Sequence, residues 1–139
     1  MSESSWFQPI GTGQHQIKVK ASRFIVDIFP IKSEEEVQIL LDEVKKREYN
    51  ANHHCFAWRL GVGDDEIWRT GDNGEPTGTA GKPIYQVLVG ANITNILAIV
   101  TRYFGGTKLG KGGLVRAYGG VLKEALPLLK KRKFIPRIT

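Results

Sequence analysis

The run from Thr101 to Gly120 constrains this chain more than any other: T-R-Y-F-G-G-T-K-L-G-K-G-G-L-V-R-A-Y-G-G. Seven of its 20 residues are Gly, four are Lys or Arg, and none is acidic. A continuous apolar segment, Ile96 to Val100, leads in, and an apolar-periodic segment from Leu114 leads out. A strand that enters a glycine-rich turn and leaves as a helix presents free backbone N–H groups to an anion. Lys108 and Lys111 add positive charge there. The candidate anion- or nucleic-acid-binding residues are therefore Arg102, Lys108, Gly110, Lys111, Gly112, Gly113 and Arg116. Gly105, Gly110 and Lys111 match the start of G-x-x-x-x-G-K-[ST]. The next residue is Gly112, which has no hydroxyl to hold Mg²⁺, so the metal half of a nucleotide phosphate loop is missing. The remaining alternative is a tight packing turn. Packing alone does not require the two lysines.

The chain has 139 residues, 41% hydrophobic and 24% charged, enough for one domain with its own core. Its charge is divided unevenly. Residues 1–76 hold 9 basic and 13 acidic side chains, a balance of −4; residues 77–139 hold 11 basic side chains and one acid, Glu124, a balance of +10. A basic half favours a polyanionic partner; the alternative is a solvated face with a basic tail, Lys130 to Lys133, at a helix end. No apolar run reaches the roughly 18–20 residues of a membrane span. The N-terminus lacks the pattern of a secretory signal. The lone Cys55 excludes an intrachain disulfide. These features point to the cytoplasm and away from a membrane.

Alternation predicts strands over Gln16–Lys20 and Arg23–Pro30. Ser33 and Glu36 form a capping box ahead of a helix whose buried stripe is Val37, Leu40, Leu41 and Val44. His54–Gly61 and Glu66–Thr70 read as a hairpin. The segment 71–81, with four glycines and one proline, cannot hold regular structure. Pro83 opens a short helix ending at Gly90. Ile96–Tyr103 is the most apolar strand. The last helix runs from about Gly113 toward Lys131, with Pro127 kinking or ending it early. The order β-β-α-β-β-α-β-α predicts an α+β layered sandwich with helices covering one face of the sheet.

Four blocks carry a family resemblance: Ser22–Ile25 (S-R-F-I), His53–Gly61 (H-H-C-F-A-W-R-L-G), Asp72–Ile84 (D-N-G-E-P-T-G-T-A-G-K-P-I) and Thr94–Gly120. In that order they resemble the Impact family, whose bacterial members include the YigZ-type proteins. The resemblance implies a ribosomal protein S5 domain 2-like two-layer fold, with a mixed sheet and helices on one face. Residues 1–20 would be a flexible arm and first strand, 21–133 an Impact N-terminal-type domain, and 134–139 a tail. Relatives by fold, elongation factor G domain IV and the ribonuclease P protein, meet RNA. The family implies a regulatory role in translation or stress response. Its eukaryotic members restrain the kinase of initiation factor 2 by competing for a ribosome-associated activator. The N-terminal module that helps them do so exceeds residues 1–20. Bacterial members usually add a ferredoxin-like domain after this one; with Thr139 as the last residue of the sequence, that domain is expected to be absent or cut away. The kinase role therefore transfers poorly, and a ribosome- or RNA-linked role transfers better.

His53, His54 and Cys55 invite a metal, but alternation along a strand leaves too few ligands on one face. Asp72 and Glu75 stand three apart in a glycine-rich loop, with no nucleophile or base identifiable beside them; the serines lie at positions 2, 4, 5, 22 and 33. No catalytic residue, metal or cofactor is assigned. A structural alternative has Asp72 or Glu75 pairing with Arg102 or Arg116, so that Asp72, Glu75, Thr77, Thr79 and Lys82 support the anion site and both loops border one groove. Tyr103, Phe104 and Tyr118 stack on bases or lie in the core. The expected function is a regulatory domain that binds RNA or the ribosome. The alternatives are a small enzyme for a phosphate ligand and a protein–protein regulator of translation.

Overall fold

A computed structural model describes residues 5–136. Its main sheet has five strands in the order β2-β3-β6-β4-β5, from Gly13–Val19 (β2), Ser22–Pro30 (β3), His53–Leu60 (β4), Ile67–Gly71 (β5) and Ile96–Tyr103 (β6). β6, the most apolar stretch in the chain, lies at the centre, and Ile96 to Val100 are buried to the last percent. Three α-helices pack on it among the described residues: α1 (Glu34–Arg47), α2 (Gly81–Gly90) and α3 (Gly110–Ala125). α1 starts as the sequence dictates, with the Glu36 carboxylate accepting the Ser33 N–H at 2.9 Å.

The α+β class is as expected, but two particulars differ. The sheet is antiparallel at every strand pair, not mixed. β3 and β4 do run parallel, joined by α1, but β6 inserts between them. β5 and β6 likewise run parallel around β4. The helices also do not share one face. Ala98 and Val100 of β6 pack with Ile84 of α2 and Tyr118 of α3. Leu97 and Ile99 pack with Val37, Leu41 and Val44 of α1 on the other side. Two right-handed crossovers of this layout would put α1 and α2 on the same face. Their opposite placement requires that one crossover have the uncommon left hand.

The chain ends also depart from expectation. Trp6–Pro9 (β1), read as part of a loose arm, pairs antiparallel with Lys131–Phe134 (β7), read as a helix end. The Phe7 N–H donates to Asn92 O at 2.8 Å and the Thr94 N–H to Phe7 O at 2.9 Å, which ties this small sheet to the body. α3 starts at Gly110, earlier than expected, and ends at Ala125; Pro127 lies in the single 3₁₀ turn that follows.

On the α1 face, His54 is buried against Thr101, with Nδ1 and Oγ1 3.1 Å apart. Burial, helped by the charge of Lys45, holds its pKa below the ordinary 6.5. The unfolded chain therefore takes up a proton near pH 6.5 that the folded chain refuses. This contribution to stability is complete above that pH and is lost as pH falls through and below it. The melting temperature is expected to drop more steeply between pH 7.5 and 5.5 in the wild type than in His54→Asn. Equal drops would show that His54 carries no such linkage.

Candidate functional site

The turn after β5 is organised by Asp72. Its carboxylate accepts the N–H groups of Gly78 (2.9 Å), Ala80 (3.2 Å) and Gly81 (2.8 Å), so it closes the loop and caps the start of α2. A negative group at that helix end is also favoured by the helix dipole. Asn73, with φ of 40°, reaches back to β4: its Oδ1 accepts the His54 N–H at 2.7 Å. Its carbonyl lies 2.8 Å from His53 Nδ1, which fixes that nitrogen as the protonated one. Thr79 is buried and donates its hydroxyl to Pro76 O at 2.6 Å. Thr77 and Lys82 are exposed.

Glu75 turns inward from this loop. Its carboxylate meets Arg102 Nη1 at 2.9 and 3.1 Å and accepts the Tyr118 hydroxyl. His53 Nε2 stands 3.6 Å away. The other end of the guanidinium donates to Ser22 Oγ at 3.3 Å, and Ser22 Oγ also accepts the Gly105 N–H at 3.2 Å. Arg102 Cζ lies 5.5 and 5.4 Å from the ring centroids of Phe24 and Phe104. One buried cluster thus ties together the Asp72 loop, β6, α3 and the β2–β3 turn. Of the pairings weighed from sequence, Glu75 with Arg102 is the one formed. Arg102 is 5% exposed, so it is a support beneath the loops and not a surface contact for phosphate. Tyr118 belongs to the core, and Phe104 is half exposed.

The surface above carries the remaining cations. Lys108, Gly110, Lys111, Gly112 and Arg116 are exposed and Gly113 is half-buried. Leu109 precedes α3 and offers no side-chain cap, and no acid occupies the first turn. Among the described residues, Lys108, Lys111 and Arg116 form no ion pair with a carboxylate. The two motif loops meet through Glu75 and Arg102, below the surface.

The residues that could carry reaction chemistry are engaged elsewhere. Cys55 donates its thiol to Asp72 O, and burial pushes its pKa up to about 12. Burial likewise raises the Tyr118 phenol above its ordinary value. His53 and Cys55 face α2 and α3, while His54 faces α1; among the described residues no group of three or more metal-ligating side chains converges. Sequence reasoning did not select Ser22 or His53 for this cluster. Strand parity offered a signal: Ser22, His53 and Arg102 share the sheet face that holds Phe24 and Cys55.

Comparison with known proteins settles the kinship. The family model of the Impact N-terminal domain matches residues 20–126. The chain belongs to the Impact family. The Impact family member YvyE of Bacillus subtilis is 43% identical over 122 residues, covering 88% of this chain and 56% of the relative. YigZ of Escherichia coli is 39% identical over 133 residues, covering 95% and 65%. The chain thus spans less than two thirds of either relative. A crystal structure of a hypothetical protein superposes with a TM-score of 0.89 at 38% identity, over 97% of this chain and 66% of that one. The two-domain translational regulator Yih1 shares the fold at a TM-score of 0.56 and 22% identity, over 83% and 44%. Among the described residues no helix is long and apolar enough to cross a membrane.

Proposed function

We propose that this Impact domain is a non-enzymatic module that binds an RNA phosphate backbone, on the ribosome or free, and acts in translation control. One observation carries the reading. Among the described residues, Lys108, Lys111 and Arg116 stand unpaired at the start of α3, while the acids of the neighbouring loop are consumed inside the fold. Phosphates would be held by the three side chains and oriented by the backbone N–H groups at Gly110, Gly112 and Gly113. Arg102, Glu75 and Asp72 hold the two loops in place beneath. The description of Yih1 as a translational regulator agrees with this role. The enzyme alternative is weaker because Asp72 is a cap, Glu75 is a buried partner and Cys55 is a buried thiol.

The test is fluorescence anisotropy with a labelled single-stranded RNA at low salt, beside thermal shift with mononucleotides and Mg²⁺. RNA is expected to bind, and Lys108→Ala with Lys111→Ala to weaken it by roughly tenfold. Stabilisation by a mononucleotide with no RNA binding would replace this reading with the small-ligand enzyme.

A further inference from the structure

A second surface lies beside α3 and meets the phosphate surface only at Arg116. A groove of about 720 Å³ runs between α2 and α3. Val87 and Val115 supply apolar walls, Leu126 lies at the floor, and Gly90 and Gly120 supply bare backbone. The volume falls within the range, about 300–1,000 Å³, of sites that take ligands or anchor side chains.

The two glycines are the informative part. Neither adopts a left-handed backbone, and a Cβ built on either would meet no atom within 4 Å outside its chain neighbours and its own helix backbone. Turn geometry and internal packing therefore do not explain them. Gly119 differs, since its Cβ would touch Val87 at 3.4 Å and Pro83 at 3.5 Å. Glycine inside a helix lowers stability relative to alanine. A glycine at Gly120 that this chain's own packing does not require points to an outside body that closes on the helix backbone.

The rim specifies the charge of that body. Arg116, Lys123 and Lys131 border the groove, and no carboxylate lines it. Lys131 Nζ is bonded to the carbonyls of Leu126 and Leu129. Arg116 and Lys123 are exposed and, among the described residues, free of ion pairs. They stand two turns apart on α3, about 10 Å along its axis. That spacing matches carboxylates two turns apart on a docking helix. We infer that the α2–α3 groove receives an acidic amphipathic helix of a protein partner, its apolar face against Val87, Val115 and Leu126 and its backbone close to Gly90 and Gly120.

The experiment follows backbone amide shifts by NMR while adding a short stapled helical peptide with leucines on one face and glutamates beside them. A leucine–lysine counterpart, decanoate and a single-stranded RNA are added separately. The leucine–glutamate peptide is expected to shift the amides of Gly90, Val115 and Gly120 and to bind about tenfold more tightly than the lysine version. Gly120→Leu and Lys123→Glu are each expected to weaken it by about tenfold. Gly120→Ala keeps the test sound by raising the melting temperature, by about 3–5 °C, because the added methyl enters open space. No shifts with the acidic peptide would overturn the inference. So would equal binding of the lysine peptide, RNA shifting the Gly90 amide as the peptide does, or decanoate filling the groove as well as the peptide does. A lower melting temperature in Gly120→Ala would make that glycine structural and remove the argument.

Discussion

Arg102→Ala is expected to bring the domain close to unfolding. The substitution leaves the Glu75 carboxylate buried, at 4% side-chain exposure, with the Tyr118 hydroxyl as its close remaining donor. Breaking one side of a buried ion pair costs about 3–5 kcal/mol, because the surviving charge has lost both its partner and water. A domain of this size has only about 5–15 kcal/mol in total. The same substitution also removes the guanidinium's contacts with Ser22 and with the rings of Phe24 and Phe104. Urea unfolding measures the loss directly. Removing both charges, as Arg102→Met with Glu75→Gln, is expected to recover most of the stability, since a matched neutral pair leaves no orphaned charge. A loss below about 1 kcal/mol in Arg102→Ala would mean that the cluster does not hold the loops together.

Gly105→Ala is expected to act through shape alone. A Cβ at this position would stand 2.2 Å from the backbone carbon and oxygen of Ala21. Ala21 cannot easily retreat. With Lys20 it forms the two-residue turn between β2 and β3, both residues at positive φ (46° and 70°), the geometry that a tight hairpin demands. The loop from Phe104 to Leu109 must move instead, and the Gly105 N–H loses Ser22 Oγ. Overpacking of this kind costs about 1–3 kcal/mol. RNA affinity is expected to fall as well, although no charge is removed, because Lys108 rides on the displaced segment and Lys111 stands in the first turn of the helix that it leads into. Urea unfolding and anisotropy on one preparation test both effects. Wild-type behaviour in both would show that the loop does not rest on the turn.

Local signals in the sequence proved sufficient for most elements. The capping box at Ser33, the alternation in β3 and the apolar run of β6 each have a short-range physical cause, and each stands where expected. What failed was non-local. β1 and β7 pair Trp6 with Phe134, and four-residue strands so far apart leave no periodic trace. The face that α1 covers depends on the hand of a crossover, which no residue pattern records. For the site, clustered glycine and lysine marked the start of α3, and the need to pair a buried charge foretold that Glu75 or Asp72 would meet an arginine. Assigning Arg102 to the surface was the error. A strand residue flanked by Thr101 and Tyr103 alternates by face, and the face of Arg102 is decided by Phe24 and Tyr118, which come from distant parts of the chain.

The salt dependence of RNA binding tests the central claim most directly, because phosphate contacts are counted by the counterions they release. With single-stranded RNA, log K against log salt carries a slope of about −0.7 for each phosphate neutralised. Removing Lys108 and Lys111 together is predicted to make the slope shallower by about 1.4, and the effect should be similar for RNAs of different sequence. A slope that is unchanged in Lys108→Ala with Lys111→Ala, measured on a variant whose unfolding curve matches the wild type, would contradict the assignment of the α3 start as the phosphate-binding surface.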